Sequence, residues 1–394
     1  MNTTPASERL HIVLAGRCNS GKSSLLNAIA GHDVAIVSDR AGTTTDPVRK
    51  AIEITGVGAC TIVDTPGLDD TDTIGSLRVG RTRQQMEKAD IIVALLDTSA
   101  PEWSKSFVAE LRALGKPLVM LLPKADTIAD YASQAQLLSN EVDGEVIAVS
   151  ALTRFGLNEL FAAIVKSAGR EEATITGSLC KAGDTVVLVM PQDPQAPRGR
   201  LIMPQVQTIR ELLDKECISV CTIPSLLSAS LAGLTQPPAL VITDSQVFPQ
   251  VSEIVPESVP LTSFSVLMAG YKGDLRLFVK GAEALDKLGS GSRVLIAEAC
   301  SHTPQAEDIG RVKIPRQLRK RAGEELRIDF ASGADFPEDL SVYDLVIHCG
   351  GCMFTRSHVM ARVNRLRQAG VPMTNYGILL AKAAGILPRI VLPD

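Results

Sequence analysis

The stretch Gly16-Arg-Cys-Asn-Ser-Gly21-Lys22-Ser23 decides the fold of the first part of this 394-residue chain. An apolar run over residues 11–15 precedes it, and a helical pattern over residues 24–30 comes after it. G-x-x-x-x-G-K-S between a strand and a helix predicts a phosphate-binding loop, because its glycines let backbone N–H groups close around phosphate oxygens. Lys22 is expected to reach the β and γ oxygens, and the Ser23 hydroxyl is expected to bind magnesium.

The motif Asp64-Thr-Pro-Gly67 supplies the second half of the same predicted site. It comes directly after the apolar run 60–63, so its carboxylate lies at a strand's carboxyl end and can hold magnesium through water. The Gly67 N–H is expected beside the γ-phosphate. The threonines of loop 41–46, with Thr44 among them, are expected to complete the magnesium shell only while the γ-phosphate is present, which makes a switch. The predicted catalytic residues are Lys22, Thr44, Asp64 and Gly67.

Two further loops come after the predicted strands 117–122 and 145–149. They carry Lys124-Ala-Asp126 and Ser150-Ala151, which in this order resemble the guanine-reading loops of the GTPase superfamily. The Asp126 carboxylate can accept from the N1–H and exocyclic amine of guanine, which favours GTP over ATP. Pro123 stands where that superfamily has an Asn, so modest guanine affinity is expected.

Asn19 and the threonines of loop 41–46 narrow the class. They resemble GTPases of the tRNA-modification (TrmE) and Era-like groups, in which an Asn at this position helps to hold a potassium ion beside the phosphates. Such a cation can replace an arginine finger. Leu68 stands where signalling GTPases carry a water-orienting Gln, so slow, potassium-stimulated hydrolysis is expected. The resemblance implies GTP or GDP, magnesium and potassium as cofactors. The implied nucleotide contacts are Gly16, Asn19, Ser20, Gly21, Lys22, Ser23, Ser24, Asp64, Lys124, Asp126, Ser150 and Ala151.

The remainder of the chain repeats the alternation of apolar strands and helical patterns. This rhythm predicts an α/β protein: a P-loop GTPase domain over residues 1–172 and two further parallel α/β domains over 178–266 and 268–394. The polar stretch 169–177 is interpreted as a linker. The predicted strands are 11–15, 60–63, 91–97, 117–122 and 145–149, then 184–190, 218–222, 239–243 and 261–266, then 293–297, 327–330, 345–347 and 372–375.

Composition excludes several classes of protein. A net charge of −4 and 4% aromatic residues disfavour a chain that coats nucleic acid or an anionic membrane, so neither is an expected partner. No run of eighteen apolar residues occurs and the first ten residues are polar, so a cytoplasmic protein with reduced cysteines is expected. The basic segments 311–321 and 356–367 are interpreted as solvated helix faces.

Three cysteines and two histidines lie just beyond two predicted strands of the last domain. Cys300-Ser-His302 comes after strand 293–297, and His348-Cys349-Gly-Gly-Cys352 comes after strand 345–347. Both loops are expected at the carboxyl edge of one parallel sheet, where such folds bind ligands. From the residues alone, a closed zinc site and a 4Fe-4S cluster are equally sound.

These motifs together resemble the HydF family of FeFe-hydrogenase maturation GTPases across nearly the whole chain. The resemblance implies that Cys300, Cys349 and Cys352 bind a 4Fe-4S cluster, with His302 and His348 as further ligands or hydrogen-bond donors. It implies a scaffold that receives a transient di-iron subcluster precursor from radical-SAM maturases and delivers it to the FeFe-hydrogenase apoprotein. It also implies that the middle domain forms a homodimer, or part of a larger oligomer.

Two other functions compete with this interpretation. An RNA-associated Era- or TrmE-like GTPase with a structural zinc site is suggested by the N-terminal motifs and the basic last domain, but the acidic whole and scarce aromatics disfavour it. A redox enzyme that uses a cluster for electron transfer is weaker, because no flavin or nicotinamide fingerprint occurs. Metal analysis and salt-dependent RNA binding distinguish the RNA-associated GTPase from the iron-sulfur scaffold.

Overall fold

The computed structural model describes residues 4–31, 38–40, 48–68, 73–168, 174–191, 201–299, 308–333 and 335–394. Thr44, Cys300 and His302 lie outside these ranges, as do the loops 41–46 and 69–72. The chain divides into two compact units, Met1–Glu172 and Ala173–Asp394. Within the described ranges, no helix has both the length and the apolar character needed to span a bilayer.

A seven-stranded sheet of order β2-β3-β4-β1-β5-β6-β7 forms the first unit. Its strands are β1 (Leu10–Gly16), β2 (Ser38–Arg40), β3 (Val48–Ile54), β4 (Gly58–Asp64), β5 (Ile91–Leu95), β6 (Leu118–Leu122) and β7 (Val146–Ala148). Its helices are α1 (Lys22–Ala30), α2 (Thr73–Lys88), α3 (Pro101–Ala113), α4 (Tyr131–Val142) and α5 (Leu157–Ala168). All five predicted strands are present, and the predicted α/β fold is confirmed.

Two strands of this sheet were not predicted. β3 runs antiparallel to β4, and β2 runs antiparallel to β3, so the sheet is parallel only from β4 to β7. β1 lies inside the parallel part and is buried on both faces, which explains its continuous apolar run. Its alternate residues enter different cores: Ile12 and Leu14 pack with Leu25 of α1, while Val13 and Ala15 pack on the opposite face.

The second unit contains two four-stranded parallel sheets. The middle sheet has the order β11-β10-β8-β9, with β8 (Thr185–Val189), β9 (Ile218–Thr222), β10 (Leu240–Thr243) and β11 (Leu261–Ser263). The last sheet has the order β13-β12-β14-β15, with β12 (Arg293–Glu298), β13 (Arg327–Ser332), β14 (Leu345–His348) and β15 (Met373–Asn375). The helices are α6 (Met203–Asp214), α7 (Leu227–Ala232), α8 (Phe248–Ile254), α9 (Phe264–Lys272), α10 (Leu275–Gly281), α11 (Ile314–Ala322), α12 (Arg356–Ala369) and α13 (Tyr376–Ala383).

Both sheets have the same topology. In each, the first and third strands lie at the centre, the second strand lies at one edge and the fourth at the other. Their sequences also correspond: β10 reads L-V-I-T and β14 reads L-V-I-H, while V-P-L-T-S-F (259–264) spans β11 and V-P-M-T-N-Y (371–376) spans β15. Thr262 and Thr374, at equivalent positions, are both fully buried. The second unit is therefore an internal repeat of one α/β fold.

One core joins the two sheets. Val187 and Val241 of the middle sheet belong to the same buried cluster as Leu295 and Val346 of the last sheet. Because the two sheets share a core, the predicted division of this unit into domains 178–266 and 268–394 stays a prediction.

Two sequence-based boundaries are corrected by the structure. The predicted strand 261–266 ends at Ser263, because the Ser263 hydroxyl accepts the Val266 N–H at 3.4 Å and caps α9. The predicted linker 169–177 ends inside the second unit. There the Thr176 N–H donates to Glu211 at 2.8 Å, and Lys215 Nζ donates to the Gly177 carbonyl at 2.7 Å.

Candidate functional sites

The phosphate loop connects β1 to α1 as predicted. Gly21, the residue before α1, has φ 98°, a left-handed conformation that glycine adopts without strain. The Lys22 side chain is buried, and its Nζ donates to the carbonyl oxygens of Gly16 at 3.1 Å and Arg17 at 2.6 Å. The ammonium is thus held inside the loop by carbonyl groups, which phosphate oxygens can replace.

The two predicted magnesium-binding side chains meet directly. Ser23 Oγ donates to Asp64 Oδ2 at 2.5 Å, because β4 pairs in parallel with β1 and their carboxyl ends coincide. Burial raises the pKa of Asp64, while the Ser23 hydrogen bond and the Lys22 charge oppose the rise. A hydroxyl and a carboxylate oxygen side by side are the ligands that magnesium prefers.

Gly67 lies against the phosphate loop. The N–H of Leu68 donates to the Gly16 carbonyl at 3.3 Å. A Cβ at position 67 would come within 2.6 Å of the Cys18 backbone nitrogen, so only glycine fits. The Asp64–Gly67 motif therefore reaches the loop through its backbone, which is the arrangement that the predicted γ-phosphate contact needs.

The two base-reading loops lie at the ends of β6 and β7. Lys124 Nζ donates to the Asn19 carbonyl at 2.6 Å and so links the first of them to the phosphate loop. Asp126 is exposed, whereas the buried Ser150 hydroxyl accepts the Thr153 N–H at 3.1 Å. Four predicted motifs thus meet at one edge of the sheet.

The remaining predicted nucleotide contacts belong to the same loops. Ser20 Oγ accepts from Lys22 at 3.5 Å, Ser24 is exposed in the first turn of α1, and Ala151 is half-buried after β7. Asn19 has φ 58°, an uncommon conformation for a residue other than glycine. The link from Lys124 to Asn19 was not predicted.

Cys349 comes directly after β14 at the carboxyl edge of the last sheet. Its Sγ accepts two backbone N–H groups, from Ala299 at 3.0 Å and from Gly351 at 3.4 Å. Gly351 has φ 66°, so a residue with a side chain would be strained in the turn that aims this N–H. Two donors directed at one sulfur stabilise its thiolate, which is the form that binds metals.

Cys352 is half-buried in the same turn. Burial raises the pKa of its thiol, and nearby backbone N–H groups and the Lys272 ammonium oppose that rise. Within the described ranges, no three Cys, His, Asp or Glu side chains are grouped around one point. The structure therefore brings Cys349 and Cys352 into one loop after β14. Cys300 follows Ala299 in the sequence and lies outside the described ranges.

His348 uses both ring nitrogens within the protein. It is 1% exposed, its Nε2 accepts from Arg362 Nη1 at 3.0 Å, and its Nδ1–H donates to the Cys349 carbonyl at 2.7 Å. Burial, reinforced by the Arg362 guanidinium, lowers the pKa of His348 to about 3. A neutral imidazole bonded in this way would have to release one partner before it could bind a metal.

Arg362 is the main residue that sequence reasoning missed. It was placed on a solvated face, but it is 3% exposed. Its guanidinium lies 4.6 Å from the ring centre of Phe336 and 4.7 Å from that of Phe354. Its spacing in α12 is a signal that was available, because Val359, Arg362, Val363 and Leu366 follow the i, i+3, i+4, i+7 pattern of one buried helix face. His358, also expected to be exposed, is half-buried and stacks on Phe354.

A second buried charge at this edge is neutralised. Glu298, the last residue of β12, is 4% exposed and forms an ion pair with Arg311 at 2.6 Å. Burial raises the pKa of the neighbouring Tyr376 hydroxyl, which lies 3.5 Å from the Glu298 carboxylate. A side chain on Gly310 would clash with both groups. Arg311 also came from a segment interpreted as solvated, and it is half-buried.

Comparison with protein-family models covers both units. A model of the hydrogen maturase F dimerization domain matches residues 175–273, and a model of the hydrogen maturase F tetramerization domain matches residues 276–393. A model of the 50S ribosome-binding GTPase family matches residues 11–124. The first unit is therefore a GTPase domain, and the two hydrogen maturase F models together match more than half of the chain.

Curated relatives match the first unit. The tRNA modification GTPase MnmE of Bordetella petrii is 46% identical over 165 residues, which are 41% of this chain and 34% of that protein. MnmE of Haemophilus influenzae is 32% identical over 224 residues, 53% of this chain and 48% of that protein. The chain thus spans about a third to a half of the length of these relatives.

Solved structures match the same region. The G domain of the T. maritima FeoB iron transporter is 26% identical, with a TM-score of 0.31, over 41% of this chain and 99% of that one. Era in complex with MgGDPNP and 16S ribosomal RNA is 20% identical, with a TM-score of 0.35, over 54% of this chain and 92% of that one. Scores this low support no functional comparison.

Proposed function

Because the chain belongs to the hydrogen maturase F family, we propose that it is a GTP-hydrolysing scaffold that binds a 4Fe-4S cluster. It would receive a di-iron precursor from radical-SAM maturases and deliver it to the FeFe-hydrogenase apoprotein. The observation that carries this proposal is the coexistence of two sites in one chain. The Ser23–Asp64 pair is suited to magnesium, and Cys349 is suited to a metal–thiolate bond.

In the nucleotide site, the chain's own groups bind and orient the phosphates. With nucleotide bound, Lys22 would exchange its carbonyl partners for β and γ oxygens, and Gly67 would offer its N–H to the γ-phosphate. Ser23 and Asp64 would hold magnesium, which would neutralise charge that develops during phosphoryl transfer. Asp126 selects guanine. Asn19 is proposed to hold potassium, which would raise the slow hydrolysis that Leu68 predicts.

In the cysteine site, Cys349 and Cys352 are proposed ligands together with Cys300. The fit rests on the sulfur of Cys349, which already accepts two N–H donors and is therefore prepared as a thiolate. An iron-sulfur cluster there supplies electron transfer and an iron atom open to a further ligand. His348 positions the loop through the Cys349 carbonyl, and His302 is the remaining proposed ligand.

The middle sheet is proposed to mediate association with a second copy. Its edge strand β9 begins with Ile218, which is 57% exposed. Leu213 and Val206 of α6 and Leu226 before α7 are also exposed apolar side chains. Among the described residues β9 is an edge strand, and a strand edge with exposed apolar residues is a ready template for pairing with another chain. The match to dimerization and tetramerization domains supports an oligomer.

Anaerobic reconstitution tests the proposal. Wild-type protein should bind about four iron atoms per chain and give the spectrum of a 4Fe-4S cluster after reduction. Stoichiometric zinc without iron would instead favour the RNA-associated GTPase. GTP hydrolysis, measured separately in potassium and in sodium, tests Asn19, and equal rates would remove the potassium assignment.

A further inference from the structure

We infer that Arg362 is the buried counter-charge of the cysteine site and positions the Cys349 loop through His348. It would stabilise the negative charge that collects on the thiolates and on the cluster they hold. This inference rests on the proposed cluster-binding function, and it assigns to α12 a role in setting the cluster's reduction potential.

The burial of Arg362 needs an explanation. Its hydrogen-bond partners in the described part of the chain are the Gly333 carbonyl oxygen, at 2.5 Å from Nη2, and the His348 Nε2. Its other contacts are the faces of Phe336 and Phe354. All four partners are neutral. A buried cation whose direct partners are all neutral is costly unless a negative charge lies nearby.

Two acidic groups act on Arg362 without a hydrogen bond to it. Burial lowers the pKa of the Arg362 guanidinium to about 10, the Cys349 thiol raises it, the Arg365 charge lowers it, and the exposed Asp335 raises it. The Glu298 carboxylate at the same sheet edge already pairs with Arg311. Arg362 and the Cys349 backbone bond to the same imidazole, so the half-buried sulfur of Cys349 is the acidic group that Arg362 is placed to stabilise.

A continuous set of hydrogen bonds connects Arg362 to that sulfur's loop. Arg362 donates to His348 Nε2, and His348 Nδ1–H donates to the Cys349 carbonyl. The Cys349 sulfur in turn receives the Ala299 and Gly351 N–H groups. Because its Nε2 accepts from the guanidinium, the imidazole is neutral, and it orients the loop without adding a charge of its own.

The electrostatic consequence concerns reduction. A cluster held by three thiolates carries net negative charge, and one-electron reduction adds a further negative charge. A buried guanidinium favours the reduced state more than the oxidised state, because the protein interior screens charges weakly. Removal of Arg362 should therefore make the midpoint potential more negative.

The experiment compares Arg362→Gln with Arg365→Gln in the full-length, anaerobically reconstituted protein. Arg365 is a matched control on the same helix: it lies 5.3 Å from Phe336 and donates to the Pro337 carbonyl at 2.7 Å. At the potential where the wild type is half reduced, the reduced-to-oxidised ratio should fall on the order of tenfold in Arg362→Gln. Arg365→Gln should stay within about twofold, because Arg365 is less buried than Arg362, so solvent screens its charge more strongly.

A second measurement separates a charge effect from a folding effect. Thermal unfolding of metal-free and reconstituted protein gives the stabilisation due to the cluster, and this difference should shrink in Arg362→Gln. Arg362→Lys, which keeps the charge, should restore the potential. If Arg362→Gln does not fold, Arg362→Met fills the same space between the rings and carries the same test.

The outcomes are distinguishable. Full iron occupancy in Arg362→Gln with an unchanged potential and an unchanged cluster-dependent stabilisation would overturn the inference and leave the proposed function standing. A wild-type chain that takes up no iron would overturn the proposed function and this inference together.

Discussion

The two sheets of the second unit share one topology and differ in the residues that come after their central strands. After β14 the chain reads Cys349-Gly-Gly-Cys352, and after the equivalent β10 it reads Asp244-Ser245-Gln246. In parallel sheets of this order the crevice between the first and third strands is the usual ligand site. The fold therefore provides the position twice, and the loop after β14 carries two cysteines where the residues 244–246 after β10 carry none.

The edges of the two sheets differ as well. Ile218 of β9 pairs with the first residue of β8, and Arg327 of β13 pairs with the first residue of β12. Both are exposed. A charged residue protects a strand edge from pairing, whereas an exposed isoleucine invites it. In the proposed function, the last copy of the repeat carries the cysteines and the middle copy carries an exposed apolar strand edge.

Among the tests of this difference between the two sheets, replacement of Cys349 should have the largest effect, which is a loss of bound iron. Cys349→Ser removes a sulfur that accepts two N–H donors, and iron content after reconstitution should fall to the level of the buffer control. Cys221→Ser, on β9 of the middle sheet, is the matched control and should keep full occupancy. A wild-type cluster in Cys349→Ser would place the metal elsewhere.

Exchange of the two edge residues should have the next largest effect. Ile218→Arg gives β9 the edge chemistry of β13, and the dissociation constant for self-association should rise about a hundredfold, which corresponds to ~2.7 kcal/mol. Sedimentation equilibrium measures it. Arg327→Ile, the reverse exchange, should not weaken association, because it removes a protecting charge from the β13 edge. An unchanged dimer in Ile218→Arg would exclude β9 from the interface.

The pH dependence of stability should distinguish the ends of β14 and β10. His348 has a pKa of about 3 in the folded protein, below its pKa of about 6.5 in the unfolded chain. Its contribution to the free energy of unfolding is therefore complete above about pH 6.5. It is lost as pH falls, because the unfolded state takes up the proton first.

Between pH 6.5 and pH 5 the metal-free protein should lose about 2 kcal/mol of unfolding free energy through this group. Urea titrations at the two pH values measure the loss, and His348→Thr, which copies the residue at the end of β10, should lose less. Equal losses in both proteins would assign the pH dependence to other groups.

Substitution of Gly351 should have the smallest effect. Gly351→Ala places a side chain at φ 66° and within 3.1 Å of Val359, so the unfolding free energy should fall by about 1 kcal/mol. Gly350→Ala, next to it, meets no atom within 4 Å and should be neutral. Chemical denaturation of both variants checks the pair, and iron occupancy should fall only in the first.

The sequence predicts the nucleotide site well because its chemistry is local. Gly21, Lys22 and Ser23 lie in one loop, and their positions are set by a strand before them and a helix after them. Asp64 was placed correctly because parallel strands end at the same edge. β3 was missed because its charged residues, such as Lys50 and Glu53, conceal the alternation of a strand buried on one face.

The cysteine site is harder to predict because its support comes from distant segments. The Cys349 motif is visible in the sequence, but Arg362 becomes buried only when Phe336 and Phe354 close around it. The repeat was also missed, since L-V-I-T and L-V-I-H match in three residues at a spacing of about a hundred. The position of Arg362 among Val359, Val363 and Leu366 marks the inner face of α12, but the charge of the residue disguises it.

The anchoring of residues 175–177 has a mechanical consequence. Near the start of the second unit, the N–H groups of Ile175 and Thr176 donate to the carboxylate of Glu211 in α6. The same helix carries the exposed Leu213. These hydrogen bonds therefore couple residues 175 and 176 to α6, which contacts β9, the strand proposed to join two subunits. A displacement of residues 175 and 176 would therefore act on α6, next to the strand edge that is proposed for self-association.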